Sequence, residues 1–220
     1  AWRADNAGWR ILFWAAHAPL ILSSSDLVYR SAVLNHLARA ARHLDRVADK
    51  TRPGTGQLVA WIGIVAASLL MPGGEPRQVF GEAGLRKVLE TSFYADGGNI
   101  ARSPQAQLDA IMALSMLARV YDMRRMEVPP FLQEVLARTV PALLGLVHSD
   151  GGMGNWQGSG ATPAAVIEAV VAASGVRTRP LKQARDWGYQ RLVANKVVVL
   201  ADAAPPPIAR VTEAGCASTL

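Results

Sequence analysis

The 220-residue sequence is short of cysteine, lysine, aromatic residues and long apolar runs. One cysteine, Cys216, excludes a disulfide framework and a cysteine-ligated zinc site. It does not exclude export, since an exported protein needs no disulfide. The longest apolar run, Leu58–Met71, holds fourteen positions including Ser68. A membrane span needs roughly 18 or more, so this run reads as a buried helix and no span is expected. The chain has no HExxH, GxSxG or GxxxxGK(S/T) motif and no GxGxxG after a strand, which leaves zinc-protease, serine-hydrolase and nucleotide chemistry unsupported. No cofactor and no metal are expected. Aromatics make up 6% of the chain and do not interleave with the basic residues in one patch, which argues against nucleic acid as a partner. There is also no initiator methionine before Ala1-Trp2, and Gly215-Cys216-Ala217-Ser218-Thr219-Leu220 reads as a strand that stops. A targeting segment could lie upstream, and the remainder of the β domain is expected downstream.

What is present is apolar and arginine-rich. Half of the residues are hydrophobic, enough for a packed core, which excludes wholesale disorder. The length fits one domain, or one domain and part of another. Lys+Arg of 23 against Asp+Glu of 17 gives a net charge of +6, and 19 of the basic residues are arginine. The planar guanidinium fork suits carboxylate, sulfate and phosphate. A plain composition bias accounts for the same excess.

From Trp9 to about Ser174 the pattern is helical. Leu27, Leu34, Leu37, Ala41, Leu44 and Ala48 fall on one helical face, with Asp26 as the N-cap. Pro53-Gly54 and Pro72-Gly73-Gly74 end successive helices. Further helices are expected at about 82–94, 104–125, 130–148 and 162–174, with a kink or break at Pro141. After Gly175 the pattern changes. Trp187–Leu192 and Lys196–Asp202 read as strands joined at Ala194-Asn195, and 208–220 offers another strand or two. The expected architecture is mainly α, an incomplete toroid of helical hairpins over 1–180, followed over 181–220 by the first strands of an antiparallel β-sandwich.

Two loops 54 residues apart repeat one motif: Asp96-Gly97-Gly98-Asn99 and Asp150-Gly151-Gly152-Met153. Stacked helix–loop–helix units would open both at the same end, at the rim of one cleft. The first loop continues through Arg102-Ser103-Pro104. It offers a carboxylate, an amide and a bidentate donor, and its glycines allow close backbone approach. Read structurally, the same residues are a helix C-cap and an Asp turn. The second loop carries Asn155, Trp156 and Gln157, an indole face flanked by amides that suits a sugar ring. A flexible connection with Trp156 packed on a helix is the alternative. His36, Arg39, His43 and Arg46 form a basic stripe, expected as a solvated face. His17, in an apolar helix, is expected as a satisfied core histidine.

The order of these features resembles the heparinase II/III-like polysaccharide lyases. The matching pieces are Leu37–Arg46, Asp96-Gly97-Gly98 with Arg102-Ser103-Pro104, and His148-x-Asp150-Gly151 with Asn155-x-x-Gly158. Gly188-Tyr189-Gln190-Arg191-Leu192 and Ala214-Gly215-Cys216 complete them. The resemblance implies an α/α toroid followed by a β-sandwich and β-elimination on uronic-acid polysaccharides. In that reaction a base removes the C5 proton, an amide or cation neutralises the carboxylate, and an acid protonates the leaving oxygen. It also favours the periplasm or cell envelope. Active members carry an Asn-His pair where this chain has Gly56-Gln57, and a tyrosine where it has Ala106.

The leading expectation is a lyase-like protein that binds an acidic polysaccharide, with cleavage by β-elimination left open. In it Asn99 and Arg102 would act on the uronate carboxylate, with Asp96, Asp150, Asn155 and Trp156 as binding residues. One alternative is a glycoside hydrolase using Asp96 and Asp150 as an acid–base pair. Another is a non-catalytic envelope or carbohydrate-binding protein. The oligomeric state is left open.

Overall fold

The structure, a computed structural model, describes residues 2–195 and 197–203. The strand expected within 208–220 and Cys216 lie outside the described residues. Among these, the chain is mainly helical and ends in an antiparallel strand pair. The helices are α1 (Ala4–Ala16), α2 (Ala18–Ile21), α3 (Leu27–Val47), α4 (Thr55–Leu70), α5 (Glu75–Ser92), α6 (Pro104–Met123), α7 (Pro130–Gly145) and α8 (Ala164–Ala173). The strands are β1 (Tyr189–Ala194) and β2 (Val197–Asp202). Two compact units arise, Ala1–Val88 with Met116–Val128, and Leu89–Ser115 with Pro129–Leu220.

The first unit is built around α4, whose apolar run is buried on all sides, as expected of a core helix. Glycines set how closely its neighbours approach. A Cβ on Gly8 of α1 would stand 2.3 Å from the Val59 carbonyl oxygen, and one on Gly63 would stand 2.7 Å from the Gly8 Cα. The start of α5 is corrected from 82 to Glu75. Gly81 and Gly84 inside this helix let it lie against α4, since a Cβ on Gly84 would overlap the Trp61 ring at 2.1 Å. On α3 the expected N-cap holds: Asp26 Oδ1 accepts from the amides of Val28 and Tyr29 at 2.8 and 3.1 Å.

Three expectations in this unit fail. Leu37, Ala41, Leu44 and Ala48 are buried, but Leu27 is 72% and Leu34 49% exposed, because the first turns of α3 run past the helices that cover the rest. His17 is exposed at the end of α1. The basic stripe divides: Arg39 and Arg46 face solvent, while His36 and His43 pack inward. His36 stacks on Trp2 at 5.4 Å, contacts Trp14 at 5.3 Å and lies 3.2 Å from the Arg10 guanidinium. His43 Nε2 donates to the Trp2 carbonyl at 2.8 Å.

In the second unit α7 runs unbroken through Pro141, correcting the expected break. The ring removes one amide from the ladder, and the helix ends four residues later. In the last turn of the helix, the Pro141 carbonyl accepts from the Leu181 amide at 2.9 Å. The hairpin pairs Tyr189 with Asp202, Leu192 with Val199 and Ala194 with Val197. Asn195 turns it with φ +51°. The first strand starts at Tyr189 rather than Trp187. Gly188, at φ +93°, closes a turn in which its amide donates to the Ala184 carbonyl at 2.6 Å.

Candidate functional site

The repeated Asp-Gly-Gly loops have the same backbone. Phe93 bridges Asn99, and Val147 bridges Met153. The Tyr94 amide donates to the Gly98 carbonyl, and that of His148 to Gly152, each at 2.8 Å. Gly97 and Gly151 take φ +90° and +83°, the left-handed region that favours glycine. Asp96 Oδ1 accepts from the Gly98 amide at 3.3 Å and Asp150 Oδ1 from the Gly152 amide at 2.9 Å. The loops are joined where they exit: the Ser103 and Ser159 hydroxyls lie 3.0 Å apart, and the Gln105 amide donates to Ser159 Oγ at 2.9 Å.

The first loop is closed over by the segment that leads into β1. Asp96 Oδ2 accepts the amides of Asp186 and Trp187 at 2.9 and 2.8 Å. Gly98 leaves room for the Trp187 ring, whose Cγ and Cδ2 would lie 2.0 Å from an added Cβ. The Trp187 indole donates to the Asn99 carbonyl at 2.8 Å, and the Tyr189 hydroxyl to the Arg102 carbonyl at 2.7 Å. Arg102 is 3% exposed, at φ +55°. Its guanidinium pairs with Asp202 of β2 and lies 5.7 Å from the Tyr189 ring centroid. Asn99 is fully buried. Its Oδ1 accepts from the Ala101 amide at 2.9 Å, while Nδ2 has no hydrogen-bond partner among the described residues.

Asp96, Asn99, Arg102 and Trp156 therefore meet around one aromatic pair. Trp187 and Tyr189 contact edge-to-face at 4.8 Å, and Trp156, half-buried, lies 5.7 Å from Tyr189. Arg102 and Trp156, again 54 residues apart, approach the same ring. Asp150 and Asn155 stay exposed on the second loop. Both aspartates of the hydrolase alternative cap turns, and Asp96 also holds two amides of the covering segment. Burial pushes the Tyr189 hydroxyl up to about 12, with the Arg102 charge acting the other way. Burial also raises the Tyr94 phenol, against Arg102 and with Asp96. Tyr94 packs on the same cluster as Trp156 and Leu181.

Several of these residues escaped the reading of the sequence. Gln107, fully buried, locks the first loop: its Oε1 accepts from the Asn99 amide at 2.6 Å, and its Nε2 donates to the carbonyls of Gly97 and Thr139 at 2.9 Å each. A glutamine between Ala106 and Leu108 on an apolar helix face was the available signal. Trp187-Gly188-Tyr189, two aromatics about a glycine, was the other. Ala106 is buried in α6, and Gln57 Nε2 donates to the Ala48 carbonyl at 3.3 Å. Among the described residues no group of three or more His, Cys, Asp or Glu could hold a metal ion, and no helix is long and apolar enough to cross a membrane.

Residues 176–220 match the family "Heparinase II/III-like, C-terminal". The matched stretch begins in the segment that covers the first loop and includes both strands. The chain is 25% identical over 229 aligned positions to "FtsZ-localized protein C" of Caulobacter vibrioides. That alignment takes in 98% of this chain and 39% of the relative, so the chain spans well under half of that protein's length. No solved structure matches the chain.

Proposed function

We propose that this chain is the glycan-binding part of a heparinase II/III-like protein, and that its ligand is an acidic, uronate-containing polysaccharide. The observation that carries the reading is the family match over 176–220, the stretch whose Trp187 and Tyr189 gather Asp96, Asn99, Arg102 and Trp156. In this reading the helices belong to an α/α toroid with a boundary near residue 180, and the hairpin opens a sandwich. Trp156 offers its indole face to a sugar ring, with exposed Asn155 and Asp150 beside it as hydroxyl partners. Binding follows from surface that exists in the folded chain. Titrating the full chain with polygalacturonate in a calorimeter tests this: saturable heat that is lost in Trp156→Ala supports it, and no heat with any polyuronate overturns it.

Cleavage by β-elimination is a second reading, favoured by one feature, the partnerless amide nitrogen of buried Asn99. An amide donor in a dry site is what an enolate-like carboxylate needs, with Arg102 as the neighbouring cation. Because both residues lie under Trp187 and Tyr189, this chemistry requires the covering segment to move. Ultraviolet absorbance of the unsaturated uronate product decides it, and a trace that stays flat while binding persists leaves the binding-only protein.

A further inference from the structure

Two stretches of the chain are markedly basic, and the later one leads into the hairpin. Between Glu168 and Asp202 the sequence holds six basic residues, Arg177, Arg179, Lys182, Arg185, Arg191 and Lys196, against one acid, Asp186. Between Glu168 and Asp202 the net charge is therefore +5, and between Asp26 and Glu75 it is +4.

The backbone of this stretch is tied down from Leu181 onward, and its cations up to Arg185 are exposed. Leu181 is tied to Pro141 by its amide, the Arg191 amide donates to the Lys182 carbonyl at 2.9 Å, and the Ala184 amide donates to the Tyr189 carbonyl at 2.9 Å. Leu181 packs on the Trp187–Tyr189 cluster, as Trp156 does. Arg177, Arg179, Lys182 and Arg185 are exposed, and none forms an ion pair with a carboxylate among the described residues. Arg191 differs: its guanidinium is spent on the carbonyls of Gly145 and Val147. From Arg177 to Lys182 an extended chain spans up to roughly 17 Å, enough to meet more than one charge of a linear polymer. Lys182 and Arg185, in the part of this strap held by its main chain, lose little backbone freedom when their side chains take a ligand.

We propose that Arg177, Arg179, Lys182 and Arg185 are the residues that read the carboxylates of the polyuronate, the role that Arg102, buried against Asp202, does not fill in the folded chain. This rests on the glycan reading above. Charge complementarity identifies the ligand as a polyanion. The half-buried indole of Trp156 on the same aromatic cluster favours a polymer of sugar rings over an acidic peptide.

The test compares the full chain with a variant carrying Arg177→Ala, Arg179→Ala, Lys182→Ala and Arg185→Ala. These positions are exposed, so thermal unfolding should be unchanged and serves as the control for folding. Polygalacturonate should bind the variant about ten- to a hundredfold more weakly, as expected for four exposed ionic contacts. Added salt should weaken wild-type binding much more than variant binding. Fully methyl-esterified polygalacturonate, which has the rings without the charge, should bind both proteins alike. Equal affinity of wild type and variant for the charged polymer overturns the strap and leaves the glycan reading standing. Wild type that binds neither polymer overturns the glycan reading and the strap with it. Poly-glutamate or duplex DNA binding as tightly as polygalacturonate overturns the assignment to uronate and makes the strap a general polyanion surface.

Discussion

The loops at 93–103 and 147–159 have one backbone and two fates. In the first, Asp96 reaches beyond its own turn to two amides of the covering segment, and Trp187 lies on Gly98. In the second, Asp150 caps its own turn alone and remains exposed. A shared motif therefore specifies a shared turn and nothing more. What a loop does afterwards depends on which distant segment packs on it, and here that segment is the stretch around Trp187 and Tyr189. Asp96, Asn99 and Arg102 of the first loop are drawn into structure, while Asp150 and Asn155 of the second stay exposed and Trp156 is half-buried.

Equivalent glycines should separate the two loops most sharply. Alanine at Gly98 puts a Cβ 2.0 Å from Trp187 ring atoms next to that side chain's root, which cannot swing aside. Gly98→Ala should cost about 3 kcal/mol or more, the upper end of overpacking. Alanine at Gly152 meets only the Asp150 carboxylate at 3.2 Å, and Gly152→Ala should change stability by under about 0.5 kcal/mol. Urea unfolding of the two variants measures both. Equal losses would mean that Trp187 does not seat on the first loop.

The next effect is alkaline. Tyr189 lies between the loops, with Arg102 and Trp156 both 5.7 Å from its ring. Its folded pKa of about 12 stands above the ordinary value of 10.0. A group raised on folding contributes its full stability below the unfolded pKa and loses it as pH rises through the folded one. Stability should thus fall by about 2–3 kcal/mol between roughly pH 10 and 12. Tyr189→Phe gives up the hydrogen bond to the Arg102 carbonyl, about 1 kcal/mol at neutral pH, and should remove that part of the alkaline loss. A variant whose stability falls with pH as steeply as the wild type's would assign the titration elsewhere.

How far the sequence reveals this differs by level. Helices with strong caps or punctuation are legible: Asp26 caps α3, Pro104 and Pro130 open α6 and α7, and the repeat of Asp-Gly-Gly announces two like turns. The glycines that serve contact, Gly81 and Gly84 inside α5, are not legible, because close approach between helices leaves no mark in local propensity. The exposure of Leu27 and Leu34 is hidden for the same reason: periodicity names a face but not how far a neighbour extends along it. The residues of the candidate site were named from the loops alone. Their meeting place was not, since the bonds from Asp96 to Trp187 and from Tyr189 to Arg102 span about ninety residues and no local pattern encodes them.

The smallest difference lies in the two aspartates, and it bears most directly on function. Asp96 accepts three amides, two of them from the covering segment, and Asp150 accepts one. Losing an acceptor costs about 1 kcal/mol per satisfied bond, more where the donor is left buried. Asp96→Ala should therefore destabilise by about 2–3 kcal/mol and Asp150→Ala by about 0.5–1 kcal/mol. Glycan affinity should move the opposite way: Asp150→Ala, beside Trp156 and Asn155, should change binding of polygalacturonate, and Asp96→Ala, measured where it is still folded, should not. If the Asp96 variant loses binding while folded and the Asp150 variant keeps it, the buried loop rather than the open one meets the ligand. The covering segment would then have to lift in the bound state, which increased amide exchange around Trp187 on adding ligand would reveal.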